Sequence, residues 1–263
     1  MKKTYNIVLT ENDIHNIVKK IVLNIMNEDR IVHDDDIIEI DNFDLVKKIM
    51  NYQIDDDIYF VQIIKRKKDN PDMYFAHNAC DYLTYYLFKS IEEFDSKREE
   101  IKTICKKTNS RAYIYLNKRS ADAVNNYATN VLRNRFLKHR NERHLLGHEI
   151  EFAAGQSKDW PDREICFLDV DSTDENIYKE VINQLNINNI KPLATYRSTN
   201  NGWHIILPNK EDAKKLDFSK INKGIYGRMA TVGLEIDKPS LLYCYLKPYG
   251  YDKQERWQKR HMR

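Results

Sequence analysis

The sequence predicts an α+β protein with a mixed or antiparallel sheet flanked by helices, preceded by a mainly helical, acidic N-terminal segment. Three observations lead there. Apolar residues recur at helical spacing in long stretches, as at Ile14, Ile17, Val18, Ile21, Val22 and Ile25. Elsewhere they compress into short β-rich runs closed by Gly, Asn or Pro, as at 58–64 and 203–208. Finally, the seven glycines begin only at Gly147, so the first half holds no Gly-rich phosphate loop or dinucleotide fingerprint, and none occurs in the second. P-loop and Rossmann chemistry are excluded.

Taken in order, Thr10 caps a helix over 10–28, and the acidic stretch Asp34-Asp35-Asp36 precedes a short helix at about 42–51. Asp55-Asp56-Asp57 reads as a solvated turn before strand 58–64, because adjacent residues in an extended run point in different directions. That strand is expected to pair with 73–76 and 111–117, with helix 92–107 between them. Ser120 caps a helix over 121–140, whose Val124, Tyr127, Ala128, Val131, Leu132 and Phe136 form one apolar stripe. From Gly147 onward turns multiply. Strands are expected at about 164–170, 193–199, 203–208 and 241–247, with helix 173–188 joining the first two, and a hinge near 141–162. The domains so drawn are a helical acidic segment 1–57, a main domain 58–252 (an αβ unit 58–140 and a second half 160–247) and a basic tail 253–263.

Composition narrows the setting. No apolar run approaches the roughly 20 residues needed to span a bilayer, and the N-terminus lacks a signal-peptide cleavage pattern, so a cytoplasmic protein without a membrane partner is expected. Cys80, Cys105, Cys166 and Cys244 stand far apart, at neither zinc-ribbon nor redox spacing. Charge is uneven: residues 1–58 carry 7 basic and 13 acidic side chains, leaving 36 and 27 for the remainder. The span 106–140 holds nine basic residues against Asp122 alone, a surface suited either to polyanions or simply to solvent.

Three motifs carry chemistry. Ile165-Cys166-Phe167-Leu168-Asp169-Val170-Asp171 is an apolar strand ending in two carboxylates one residue apart. Residues two apart on a strand share a face, so Asp169 and Asp171 project together and suit a hard divalent cation. Alternatively, Asp171 starts a turn or caps the following helix. Next, Thr195-Tyr196-Arg197-Ser198 and Trp203-His204-Ile205-Ile206 flank Asn201-Gly202, a hairpin signal that brings Ser198 and His204 near one tip. Both side chains can donate to phosphate oxygens. The third motif, Val232-Gly233-Leu234-Glu235-Ile236-Asp237, ends an apolar run in Asp237, with Glu235 two positions earlier on the same face.

In this order, Asp-x-Asp, Ser-to-Gly-x-His and hydrophobic–Asp, the chain resembles the archaeo-eukaryotic primase superfamily, which includes primase-polymerases. The resemblance covers about 160–247 well, 58–140 loosely and 1–57 not at all. It implies a primase-like catalytic core, in which Asp169, Asp171 and Asp237 are catalytic and bind Mg²⁺ or Mn²⁺, and Ser198 and His204 hold the triphosphate. It further implies primer synthesis or extension on single-stranded DNA from nucleoside triphosphates, with a separate helicase or replication protein as partner. The family's frequent zinc cluster is missing, and the stretch between Ser198 and His204 is longer than the compact form of the motif. Arg111, Lys118, Arg119 and Lys247 are further candidates for phosphate contacts. Tyr196, Trp203 and Tyr243 are open to base stacking or core packing. Two rivals remain: a metal-dependent nuclease using the same carboxylates, and a nucleic-acid-binding accessory module with a vestigial site.

Overall fold

Alternating apolar runs fold into ten strands, and helical stripes into five helices, among the residues described by this computed structural model: 37–71, 80–138, 153–154, 165–172, 174–199, 202–219 and 231–247. The chain divides into two units, residues 38–246 and residues 1–37 with 247–263. Every described strand and helix belongs to the first. Helix 10–28, strand 73–76 and the tail 253–263 lie outside the described residues, as does most of the expected hinge.

The larger sheet runs in the order β1 (Ile38–Asp41), β10 (Pro239–Leu246), β4 (Arg111–Tyr115), β2 (Asp57–Arg66), β3 (Cys80–Phe88), with the short β5 (Arg119–Ser120) also on β2. The smaller sheet runs β7 (Ala194–Arg197), β8 (Trp203–Leu207), β6 (Cys166–Asp171), β9 (Thr231–Ile236). Every pairing is antiparallel. The helices are α1 (Phe43–Lys47), α2 (Ile91–Thr108), α3 (Ala121–Lys138), α4 (Glu175–Ile187) and α5 (Lys210–Ala213).

Local chemistry sets the boundaries. Ser90 Oγ accepts the Glu93 N–H at 3.1 Å to start α2, and Asn109 ends it in the left-handed region at φ 51°. Ser120 Oγ accepts the Ala123 N–H at 2.9 Å at the head of α3, as the sequence predicts. Helix α1 is shorter than expected, yet it buries Phe43 and Val46, and β1 zips onto β10, so 38–47 packs with the unit that follows. Strand β3 is the unexpected partner of β2. Its residues are nearly all half-buried, so the period-two alternation that marks a strand is blurred.

The smaller sheet buries Leu168, Val170, Ile205 and Leu207 against Ile177, Val181 and Leu185 of α4, which recur every fourth residue on one helical face. Its opposite face contributes Phe167, Tyr196 and Ile206 to a buried cluster shared with Val61, Ile63, Ala112, Ile114 and Leu242 of the larger sheet. Among the described residues no helix is long and apolar enough to cross a membrane.

Candidate functional site

With Cys166, Leu168 and Val170 committed to the α4 side, strand alternation turns Phe167, Asp169 and Asp171 to the other face. The register completes a constellation. Asp169 lies opposite His204 of β8 and opposite Gly233 of β9, while Phe167 lies opposite Ile206 and Glu235. Asp169, Asp171, Glu235 and His204 therefore line a single cavity of about 470 Å³, within the range of small-molecule sites. Ser198, Thr199 and Lys238 also line it, and the larger sheet supplies Gln62, Ile64, Arg66, Tyr82, Arg111 and Tyr113.

Gly202 holds the middle motif against the carboxylate strand. A Cβ there would meet the Val170 carbonyl oxygen at 2.1 Å and Ser198 Oγ at 3.1 Å, so only glycine permits this approach. The Ser198 N–H donates to the Gly202 carbonyl at 3.0 Å, which closes the hairpin neck. His204 is buried, with Nδ1 2.9 Å from Ser240 Oγ and Nε2 3.5 Å from Asp169 Oδ1. Its ring packs on Phe167, centroids 4.7 Å apart.

Three buried side-chain oxygens have no hydrogen-bond partner among the described residues: Asp169 Oδ1, Ser198 Oγ and Gln62 Oε1. All three residues line this cavity. Such an orphaned atom costs about 1–3 kcal/mol, so three around one cavity mark a surface shaped for a ligand's polar groups rather than for folding.

Cations gather across from the acids. Arg66, Lys68, Arg111 and Lys238 line the cavity. Desolvation lowers the pKa of the Lys68 ammonium, and the neighbouring Arg111 and Arg66 charges push it in the same direction. An anion placed among them would relieve that crowding. Arg111 itself is engaged: Asp69 accepts from its Nε at 2.7 Å and its Nη2 at 2.5 Å, and its Nη1 donates to Thr199 Oγ1. It therefore anchors the Ser198–Thr199 neck, with its charge offset by the Asp69 carboxylate.

The structure brings together Asp169, Asp171, Ser198, His204 and Arg111, but not the other candidates. Asp237 does not line the cavity. The strand ends at Ile236, and Asp237 turns away with φ 53° to bind the buried Arg119 through Nη2 at 2.5 Å and Asn117 Nδ2 at 3.3 Å. Its place is taken by Glu235, which stays on the strand and shares the acidic face. Arg119 is likewise not a phosphate contact: its side chain is wholly buried, with Nε donating to the Ala154 carbonyl and Nη1 to the Asn117 carbonyl. Lys118 points to Asp57 at 2.7 Å. Lys247 falls in the other unit, just past β10, and is exposed. Helix α4 is capped by Asp174, whose Oδ1 accepts the Asn176 N–H at 2.9 Å, so Asp171 is not spent as a cap. Tyr196, Trp203 and Tyr243 are all buried; Tyr82, Tyr113 and Phe167 line the cavity instead. Sequence reasoning missed Arg66, Lys68, Lys238 and Gln62. The run Lys65-Arg66-Lys67-Lys68 was the only signal for two of them.

Among the described residues no three His, Cys, Asp or Glu side chains are grouped so as to hold a metal ion by themselves. The donor chemistry nonetheless fits a hard divalent cation. Three carboxylates from adjacent strands share one cavity, and Asp169 presents a buried oxygen with no partner. In comparisons with known proteins, no family model, no curated protein and no solved structure matches this chain.

Proposed function

We propose that this protein is a divalent-cation-dependent nucleotidyltransferase of the primase or primase-polymerase kind, which synthesises or extends primers from nucleoside triphosphates on single-stranded DNA. One observation carries the reading: a single cavity is lined by three carboxylates of one sheet, by the phosphate-type donors Ser198 and His204 beside them, and by a group of cations. A nuclease would use the same acids, and nucleotide incorporation separates the two readings. The motif order supports the same reading, with Leu234-Glu235 in place of Ile236-Asp237 as its third member.

Asp169, Asp171 and Glu235 would hold Mg²⁺ or Mn²⁺. Bound there, such cations would lower the pKa of the attacking 3′-hydroxyl and offset the charge on the phosphoryl oxygens and on the departing pyrophosphate. Ser198 and His204 donate to the triphosphate oxygens, and Arg66, Lys68 and Lys238 offset their charge. Arg111 fixes the Ser198–Thr199 neck through Thr199. The wall of Ile64, Tyr82 and Tyr113 excludes water around the nucleotide. The template and a partner helicase or replication protein follow from the resemblance and the basic composition of 106–140.

The test is incorporation of labelled nucleotides on a single-stranded template with Mg²⁺ or Mn²⁺. Template-dependent product is expected from the parent and none from the Asp169→Ala, Asp171→Ala double variant. Synthesis unchanged in that variant would overturn the proposal. Loss of nucleic acid without added triphosphates, abolished by the same substitutions, would replace it with the nuclease.

A further inference from the structure

The imidazole of His204 does not stand alone. Behind it, Ser240 Oγ lies 2.9 Å from Nδ1, and the Tyr196 hydroxyl lies 2.6 Å from the same Oγ. Ser240 is wholly buried, Tyr196 nearly so, and neither lines the cavity. Among the described residues the two side chains make no other hydrogen bond.

Hydrogen counting sets the direction. A tyrosine hydroxyl brings one proton, and a buried donor without an acceptor is costly. The nearest acceptor for Tyr196 is Ser240 Oγ. Once Ser240 accepts, its own proton has a single acceptor within reach, the Nδ1 lone pair of His204. Donation in the reverse sense strands the tyrosine proton in the core, and two bonds directed at Ser240 strand the serine proton. Only the sequence Tyr196 to Ser240 to Nδ1 satisfies every group. A neutral ring accepting at Nδ1 carries its proton on Nε2.

A second observation agrees. Nε2 faces the carboxylate of Asp169, 3.5 Å from its buried Oδ1. A bare nitrogen there would set a lone pair against a carboxylate, whereas an N–H presents positive charge to it. Main-chain geometry adds to the rigidity, since Tyr196 and His204 lie directly opposite in the β7–β8 ladder.

We propose that Ser240 and Tyr196 are positioning residues that hold His204 with Nδ1 as acceptor, so that its Nε2–H is the hydrogen-bond donor directed into the cavity. The tautomer rests on this geometry alone. Its use, donation to a non-bridging phosphate oxygen, rests on the nucleotidyltransferase reading.

The experiment uses the full chain with ¹⁵N-labelled histidine. Long-range proton–nitrogen correlation spectra are recorded under mildly alkaline conditions, and His204 is assigned by the loss of its signals in His204→Asn. In the parent, Nε2 is expected to appear protonated and Nδ1 unprotonated. Ser240→Ala removes the donor to Nδ1, so the two tautomers should interconvert and their nitrogen shifts converge. The double variant Ser240→Ala, Tyr196→Phe also removes the tyrosine proton that the single change would strand, so it keeps the test open if the single variant fails to fold. Convergence is expected there too. A parent ring protonated at Nδ1, or an unaltered Nε2–H signature in the double variant, would overturn the proposal. Inorganic tripolyphosphate serves as the anion probe, and its affinity should fall about twofold in the double variant, because about half of the rings would then lack a proton on Nε2. A parent with the Nε2–H signature that does not bind tripolyphosphate would count against the nucleotidyltransferase reading and leave the relay standing.

Discussion

Replacing Asp237 by Asn and, separately, Glu235 by Gln distinguishes an acid that holds the fold together from one that faces the ligand. The Arg119 guanidinium is fully buried, with Asp237 as the carboxylate on its Nη2 and backbone carbonyls on Nε and Nη1. Removing one member of such a buried pair costs about 3–5 kcal/mol, because a charge remains without compensation. Asn keeps a carbonyl oxygen for Arg119 and tolerates the left-handed backbone at φ 53°. The loss should then fall near about 3 kcal/mol, or about 6–12 °C in melting temperature at about 2–4 °C per kcal/mol. Glu235 is half-buried on the cavity wall, so Glu235→Gln should shift stability by less than about 0.5 kcal/mol. It should instead abolish Mn²⁺-dependent nucleotide binding. Thermal denaturation and calorimetric titration of nucleotide with and without Mn²⁺ read the two effects separately. If Asp237→Asn melts like the parent but loses the metal-dependent binding, while Glu235→Gln retains it, the assignment of the two acids is wrong.

Three further outcomes are expected. Gly202→Ala forces a Cβ into the Val170 carbonyl, so stability should drop by about 1–3 kcal/mol and metal-dependent nucleotide binding should disappear with the displaced carboxylates; urea denaturation beside the same titration checks both, and parental binding would contradict it. Burial alone would raise the pKa of Asp57, but the Lys118 ammonium and the N–H groups of Gln53 and Ile54 hold it below the ordinary carboxylate value. A depressed carboxylate adds stability above its unfolded value of about 3.9 that is lost as pH falls through the folded value, so the penalty of Asp57→Asn at neutral pH should shrink in acid, and denaturation curves showing the same difference throughout would refute it. Gln62→Met removes the orphaned Oε1, which should raise the denaturant midpoint of the unliganded protein by about 1 kcal/mol of stability while weakening nucleotide affinity. A lower midpoint would show that the oxygen has a partner.

The parts of the site legible in the sequence were those written locally. An apolar run closing in Asp169-Val170-Asp171 needs only strand alternation to put both acids on one face, and Asn201-Gly202 between β-rich runs is enough to bring Ser198 near His204. Glu235 and Asp237 illustrate the limit. Both are two apart and acidic, so alternation favours neither. The choice depends on where the strand stops, and that is fixed by Arg119, far away along the chain, capturing Asp237. The same limit applies to Arg66 and Gln62: the pairing of β2 with β4 was legible, but their roles depend on the second sheet that shares the cavity. The order of helices was legible because stripes and capping serines are local. Strand β3 was not, since half-burial of nearly every residue leaves no alternation to read.

Asp169, Asp171 and Glu235 stand on the smaller sheet and Arg66 and Arg111 on the larger, and what sets the spacing between those sheets is the hydrocarbon of Phe167, Tyr196 and Ile206 packed into the larger sheet's interior. The separation between opposite charges is thus a packing dimension, gauged by methyl groups that never touch a ligand. Trimming Ile206 or Leu242 by a single carbon would retune electrostatics at the mouth above, with every ionisable group left intact.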